Sequence, residues 1–225
     1  RPPGSFPVTF TGKTFGPGKG YWKTGELGMS RLLKANRVAQ ATNSLRYVRF
    51  LDDFRAQAIG NVWTDTGTGS FTDEKIYVVQ SGTKLVQRCL LMATDPGDLV
   101  LDPSCGSGTT AYVAEQWGRR WITIDTSRVA LALARARIMG ARYPYYLLAD
   151  SPEGVKKESE VAGKIPPEYK TDNDIRKGFV YKRVPHVTLK SIANNPDIKE
   201  GMTREEIDAA ILRHADTEYL FDKPY

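Results

Sequence analysis

The rhythm of apolar and polar positions changes near residue 75. Upstream, residues 1–30 are rich in Gly, Pro, Thr and Lys and are punctuated by Pro2-Pro3-Gly4 and Gly16-Pro17-Gly18, which predicts extended or loop-like chain. Residues 45–51 alternate imperfectly between Asn43-Ser44 and Asp52-Asp53 and predict a strand; Gly67-Thr-Gly-Ser70 marks a further loop. Downstream the signals sharpen. Ile76 to Val79 is a short apolar run. Leu85, Cys89 and Met92 fall at helical spacing between Lys84 and Thr94, Leu90 and Leu91 widen the face, and Pro96-Gly97 ends it. Leu99-Val-Leu101 predicts a buried strand that runs into a loop, Asp102 to Thr110. A helix follows from about Thr109 to Trp117, ended by Gly118, and then a strand, Trp121 to Ile124, closing on Asp125. Ser127 caps a helix from Val129 to Met139 that Gly140 ends, and Tyr145 to Leu148 predicts a third strand ending in Ala149-Asp150.

Strand, glycine loop, helix, strand, helix, strand is the alternation that builds a parallel sheet with helices on its faces and right-handed crossovers. The expected fold class is therefore α/β. Residues 151–175 are charged and interrupted by Pro152, Pro166 and Pro167, so they read as a linker. Beyond it Phe179-Val-Tyr181 suits a strand, and Thr203-Arg-Glu-Glu206 is a capping box opening a helix to about His214. The expected organisation is a basic irregular N-terminal segment over residues 1–60, an α/β core over 61–150, the linker over 151–175, and a small α/β C-terminal subdomain over 176–225.

Composition narrows the function classes. Apolar residues make up 40% of the chain, and no run of eighteen apolar residues exists, so no membrane span is expected. Cys89 and Cys105 supply neither a disulfide framework nor a metal quartet, which points to a reducing, cytoplasmic setting and no metal. No basic-then-apolar leader opens the chain, and its first residue, Arg1, suggests a piece of a longer protein. The net charge of +6 is concentrated: residues 1–60 hold ten Lys and Arg against Glu26, Asp52 and Asp53, a net +7. A basic third beside a near-neutral body suits a surface that faces phosphates, the alternative being a solvated basic face. Lys13, Lys19, Lys23, Arg31, Lys34, Arg37, Arg46 and Arg49 are the candidate nucleic-acid contacts.

The chemistry converges on the loop Asp102 to Thr110. Gly106 and Gly108 leave no side chain where the backbone must turn and a ligand approach, and the following helix aims its free N–H groups at the loop. Its place is the carboxyl end of a predicted parallel strand, where open α/β sheets bind ligands. Asp125, ending the next strand, can accept hydrogen bonds from both ribose hydroxyls of an adenosine-bearing cofactor, and Asp150, ending the third, can meet the adenine edge. The competing readings are a tight turn without ligand for the glycines, a helix cap for Asp125 and ordinary loop chemistry for Asp150. Cys105 has no histidine near it in sequence and reads as a small filler. The loop lacks the Gly-Lys-Ser/Thr ending of a P-loop, and Thr109-Thr110-Ala111 after Gly108 departs from the dehydrogenase fingerprint.

Leu99 to Thr110, Leu-Val-Leu-Asp-Pro-Ser-Cys-Gly-Ser-Gly-Thr-Thr, closely resembles the cofactor motif of DNA methyltransferases that act on exocyclic amino groups. The family pattern is Asp-Pro-Phe-x-Gly-Ser-Gly-Thr-Thr, and only its Phe departs, to Ser104. Asn61-Val-Trp63, Lys84 and the apolar helix before Asp95-Pro-Gly-Asp98 resemble the motif that closes over the methionine end of the cofactor. The family's Gln-Lys-Pro stands here as Thr83-Lys84-Leu85. Trp121 to Asp125 with the helix after it resembles the ribose-binding segment. The resemblance covers about residues 60–150. Residues 45–54 with Asn61-Val-Trp63 are also similar to methylase subunits of multisubunit restriction systems and to larger relatives with extra C-terminal domains.

The resemblance implies a Rossmann-like fold that binds S-adenosylmethionine and its product S-adenosylhomocysteine, through Trp63, Lys84, Asp102, Pro103, Ser104, Cys105, Gly106, Ser107, Gly108, Thr109, Thr110, Asp125, Thr126, Ser127 and Asp150. It implies methyl transfer to adenine N6, with cytosine N4 the lesser choice, DNA as substrate, and a restriction subunit or second methylase subunit as partner. The family's catalytic Asp/Asn/Ser-Pro-Pro-Tyr/Phe, which clamps the flipped base, is absent. The nearest string is Asp222-Lys-Pro-Tyr225, so Asp222, Pro224 and Tyr225 are the candidates in this chain, but the first proline is missing and a linker and a capped helix intervene. In one class of these enzymes the catalytic half and target-recognition region precede the cofactor half. That order makes residues 1–60 the end of the recognition region and places the catalytic loop before Arg1. The rival readings are a non-catalytic nucleic-acid-binding or partner-binding subunit with this fold, and an RNA methyltransferase.

Overall fold

The computed structural model describes residues 4–67, 77, 80–165, 168 and 170–225. Along the chain come β1 (Val8–Phe10), β2 (Lys13–Phe15), α1 (Glu26–Lys34), β3 (Val38–Ala41), β4 (Ser44–Tyr47), α2 (Thr83–Ala93), β5 (Leu99–Asp102), α3 (Thr109–Gln116), β6 (Arg120–Thr123), α4 (Arg128–Gly140), α5 (Pro152–Ala162), β7 (Tyr181–His186), α6 (Leu189–Ala193), α7 (Arg204–His214) and β8 (Asp216–Pro224). Most of the apolar run Ile76 to Val79 and most of the loop Gly67 to Ser70 lie outside the described residues. The chain divides into two compact units, one of residues 1–58 with 183–219, the other of 59–182 with 220–225.

The first unit replaces the expected irregular segment with two hairpins and a helix. Thr11 and Gly12 both take positive φ, 48° and 77°, the two-residue turn whose twist matches its strands β1 and β2. α1 departs from the extended or loop-like chain expected of residues 1–30: Gly25 stands at its N-cap and Gly28 lies within its first turn. Gly28 is a point of close approach: a Cβ there would lie 3.1 Å from that of Ala193 on α6. Met29 and Leu32 turn inward beside Ile192, Ile207 and Ile211, so α1, α6 and α7 share one core. Residues 176–225 are accordingly no subdomain of their own: the apolar faces of α6 and α7 are covered in the first unit, while residues 176–182 and 220–225 fold with the second.

The second unit holds a mixed α/β arrangement around one parallel pair. β5 and β6 pair in register, Leu99 with Arg120 through Asp102 with Thr123. Leu90 of α2 with Val113, Ala114 and Trp117 of the α3 region forms its core, against which Val100 and Trp121 pack. Buried Arg119 fastens this layer by donating to the Thr94 hydroxyl and carbonyl and to the Trp117 carbonyl.

Two expectations fail here. Tyr145 to Leu148 does not extend the parallel sheet. The Leu147 and Ala149 N–H groups donate to the Tyr225 and Gly178 carbonyls, and Leu148 bridges antiparallel to Phe179, so the hydrogen bonds a third parallel strand needs are spent elsewhere. Nor is β5 a buried strand. Leu99 and Leu101, with Ile122 and Ile124 at the end of the neighbouring strand, are 53%, 61%, 48% and 52% exposed, while Val100 and Trp121 on the opposite face meet the core. Residues 151–175 are likewise more than a linker, because Ser151 caps α5 by accepting from the Gly154 N–H and Gly163 closes it at φ 61°.

Candidate functional site

The glycine loop between β5 and α3 is held by backbone hydrogen bonds that the sequence pattern requires. The Ile124 N–H donates to the Asp102 carbonyl and the Cys105 N–H to the Ile124 carbonyl, at 2.9 and 3.0 Å, so the parallel pairing continues into the loop. Gly106 and Gly108 take φ of 51° and 74°. Their reasons differ. Gly106 is half-buried at the mouth of the turn, whereas Gly108 is buried against α4, where a Cβ would stand 2.8 Å from that of Ala134.

Asp125 joins the two strand ends. One carboxylate oxygen accepts from the Gly106 N–H at 2.9 Å and the other from the Ser127 N–H at 2.8 Å. These bonds, Ser127's first, hold its carboxyl below the ordinary value, so it is ionised at neutral pH. A carboxylate has about four lone-pair positions, and with two used the half-exposed Asp125 keeps capacity for a ligand's hydroxyls. Ser127 is the helix cap, accepting from the Ala130 N–H, so the carboxylate and cap roles fall to different residues. Pro103, Ser104 and Thr126 are exposed and Asp102 and Thr110 half-exposed.

The remaining loop residues face inward. Ser107 and Thr109 are buried; the Arg137 guanidinium donates to both hydroxyls, at 3.4 and 2.9 Å, and lies over the Tyr112 ring. Burial pushes the Cys105 thiol upward, which suits a filler. The Ser107 hydroxyl also donates to the Gln80 side chain at 3.3 Å. Gln80 and Arg137 were not singled out by sequence reading, since only folding brings them to the loop. Trp63 and Lys84 form a second cluster. Asp65 pairs with Lys84 and, through both oxygens, with Arg88, whose guanidinium lies over the Trp63 ring, and these partners hold the Asp65 carboxyl far below the ordinary range.

Asp150 does not join the site. Its side chain has no exposed area, and its carboxylate already accepts from Lys177, at 2.9 Å, and from the Asp172 and Asp174 N–H groups. Lys177 leads in pulling its carboxyl below the ordinary 3.8. A group with a depressed folded value contributes stability that is complete above about 3.8 and is lost as pH falls below it. Thermal melts from pH 6 to 2.5 are expected to show a lower melting temperature for Asp150→Asn at pH 6 and a shallower fall in acid than the parent. Equal acid slopes would show that Asp150 does no such fastening.

Asp222 and Pro224 lie on β8, not in a loop, and Tyr225 donates to and accepts from the backbones of Val180 and Leu147. Of the basic candidates, Lys13, Lys19, Lys23, Arg46 and Arg49 are exposed. Three are committed elsewhere. Arg37 is buried, 2.5 Å from the equally buried Asp53 and stacked on Phe50, because a charge in that core must be paired. Arg31 donates to the Ala193 carbonyl, and Lys34 stands 3.7 Å from Glu200. Among the described residues no group of three or more His, Cys, Asp or Glu is placed to hold a metal, and no helix is long and apolar enough to cross a membrane.

Residues 31–136 match a family model of the N6/N4 methyltransferase type, described as DNA methylase. The match therefore opens well before residue 60 and takes in β3 and β4 as well as the glycine loop. The type II methyltransferase M2.DpnII of Streptococcus pneumoniae is 40% identical over 85 residues, which is 35% of this chain and 31% of that protein. The type II methyltransferase M2.LlaDCHI of Lactococcus lactis subsp. cremoris is 36% identical over 90 residues, 37% of this chain and 34% of that protein. The matched stretch thus spans about a third of the length of these relatives.

Proposed function

We propose that this chain is the cofactor-binding part of a DNA methyltransferase that transfers a methyl group from S-adenosylmethionine to adenine N6 or cytosine N4. The observation that carries the reading is Asp125, an ionised carboxylate at a parallel strand end that retains acceptor capacity beside the turn at Gly106. Similarity to DNA methylases over residues 31–136 supports it. Asp125 would hold the ribose hydroxyls, and the exposed Pro103-Ser104 backbone with Gly106 would form the near wall. The cofactor, when bound, supplies a sulfonium methyl group. The protein's work is to hold that ligand still and exclude other orientations, which lowers the barrier by positioning.

The parallel pair β5 and β6 is read as one piece of a Rossmann-like sheet. Parallel sheets are covered on both faces, yet among the described residues the face of this pair that carries Leu99, Leu101, Ile122 and Ile124 is open. A longer protein, of the length the relatives have, would cover that face and carry the base-clamping motif.

Titration calorimetry with S-adenosylmethionine and S-adenosylhomocysteine tests the site. Asp125→Ala is expected to weaken binding by roughly ten- to hundredfold, the scale of losing charged hydrogen bonds. Parent-like affinity in the variant would remove Asp125 from the site.

A further inference from the structure

The first unit contains a groove of about 830 Å³ that the cofactor reading leaves unused. That volume is in the range of pockets that enclose small ligands. Met29 and Leu32 form part of its floor, and Tyr21, 63% exposed, and Tyr47 stand in its lining. Lys23, Arg46, Arg49 and Lys190 are its exposed cations, against the carboxylate of Asp216. None of these four cations forms an ion pair among the described residues, whereas Arg31, Lys34 and Arg37 on the same unit are held by protein partners. The Tyr47 hydroxyl is enclosed and has no hydrogen-bond partner among the described residues.

We propose that this groove binds an unpaired segment of a DNA strand, its phosphates on Lys23, Arg46, Arg49 and Lys190 and a base stacked on Tyr21. An excess of unpaired cations calls for an anionic occupant, and an apolar floor with an exposed aromatic ring calls for one that also carries flat apolar faces. Single-stranded nucleic acid combines both, and its recognition uses a basic track with aromatic platforms. A paired duplex keeps its bases stacked inside and offers Tyr21 nothing to stack on. The proposal rests on the reading that this protein acts on DNA, and adds that one face of the first unit prefers DNA whose bases are free.

Fluorescence anisotropy of the 225-residue chain with a labelled eight-nucleotide single strand and with a fully paired duplex tests it across 50–200 mM salt. Tyr21→Ala is expected to weaken single-strand binding about tenfold and to leave duplex binding unchanged, with Tyr145→Ala, an exposed tyrosine of the other unit, matching the parent. The combined Lys23→Ala, Arg46→Ala and Arg49→Ala variant is expected to lower the logarithmic salt slope on the single strand by about 2. Circular dichroism confirms that each variant is folded. Parent-like single-strand affinity in Tyr21→Ala overturns the groove while a reduced salt slope keeps the basic surface. A slope unchanged in the triple variant overturns the DNA surface itself.

Discussion

Gly108→Val is expected to destabilise the second unit by about 2–5 kcal/mol and to remove cofactor binding, while Gly140→Ala leaves stability within about 1 kcal/mol of the parent. Two effects add at Gly108. Its φ of 74° is a left-handed conformation that costs a residue with a Cβ roughly 1–2 kcal/mol. The new Cβ would also stand 2.8 Å from that of Ala134, and forcing bulk into such a contact costs about 1–3 kcal/mol more. α4 comes this close because Ala130, Ala134 and Ile138, spaced four apart, line its buried face. Relief requires the loop to lift from α4, which moves Gly106 away from the Asp125 carboxylate it donates to. Gly140 ends α4 with no positive φ and nothing within 4 Å of where a Cβ would stand, so alanine there is tolerated. Denaturant unfolding followed by circular dichroism, with calorimetry for the ligand, gives the comparison. Equal losses at the two glycines would mean that the loop does not depend on its packing against α4.

The second expectation is that the 225-residue chain binds S-adenosylmethionine but transfers no methyl group to DNA. The elements proposed to hold the cofactor stand in this chain, whereas no Asp/Asn/Ser-Pro-Pro-aromatic sequence occurs anywhere in it. A target nitrogen that is neither oriented nor stacked loses several kcal/mol of barrier lowering, which is orders of magnitude in rate. The competing string, Asp222-Lys-Pro-Tyr225, runs along β8, and the Tyr225 backbone is fixed between Leu147 and Val180 with its ring near Lys157 and Lys182. A residue held in that way has no freedom to close over a base. Tritium transfer from the cofactor to mixed-sequence DNA decides it: turnover that disappears in Asp222→Ala would make the C-terminal strand the active site.

Legibility in the sequence followed the range of the forces involved. The elements from α2 to α4 could be read because each is announced locally: apolar spacing in α2, Gly118 after α3, the Ser127 cap on α4 and, further on, the capping box at Thr203 that opens α7. The turn at Gly106 and the carboxylate at Asp125 were equally visible, since both belong to strand ends where the backbone must change direction. α1 was not, because Gly28 carries its meaning only when Ala193, far along the chain, packs against it.

By itself, then, the sequence determined the local chemistry: a glycine turn after a strand, a carboxylate one strand later, and a basic N-terminal third. Tertiary structure alone decided which of these groups are available. Asp150 and Arg37 look from the sequence like ligand and phosphate contacts, but each sits where water is excluded, and a charge there is stable only with protein partners, Lys177 for one and Asp53 for the other. Asp125, Tyr21 and Arg46 stay open because the elements around them leave hydrogen-bonding capacity or surface unfilled. Residue type follows from the chain one position at a time, whereas burial depends on every segment that folds over it.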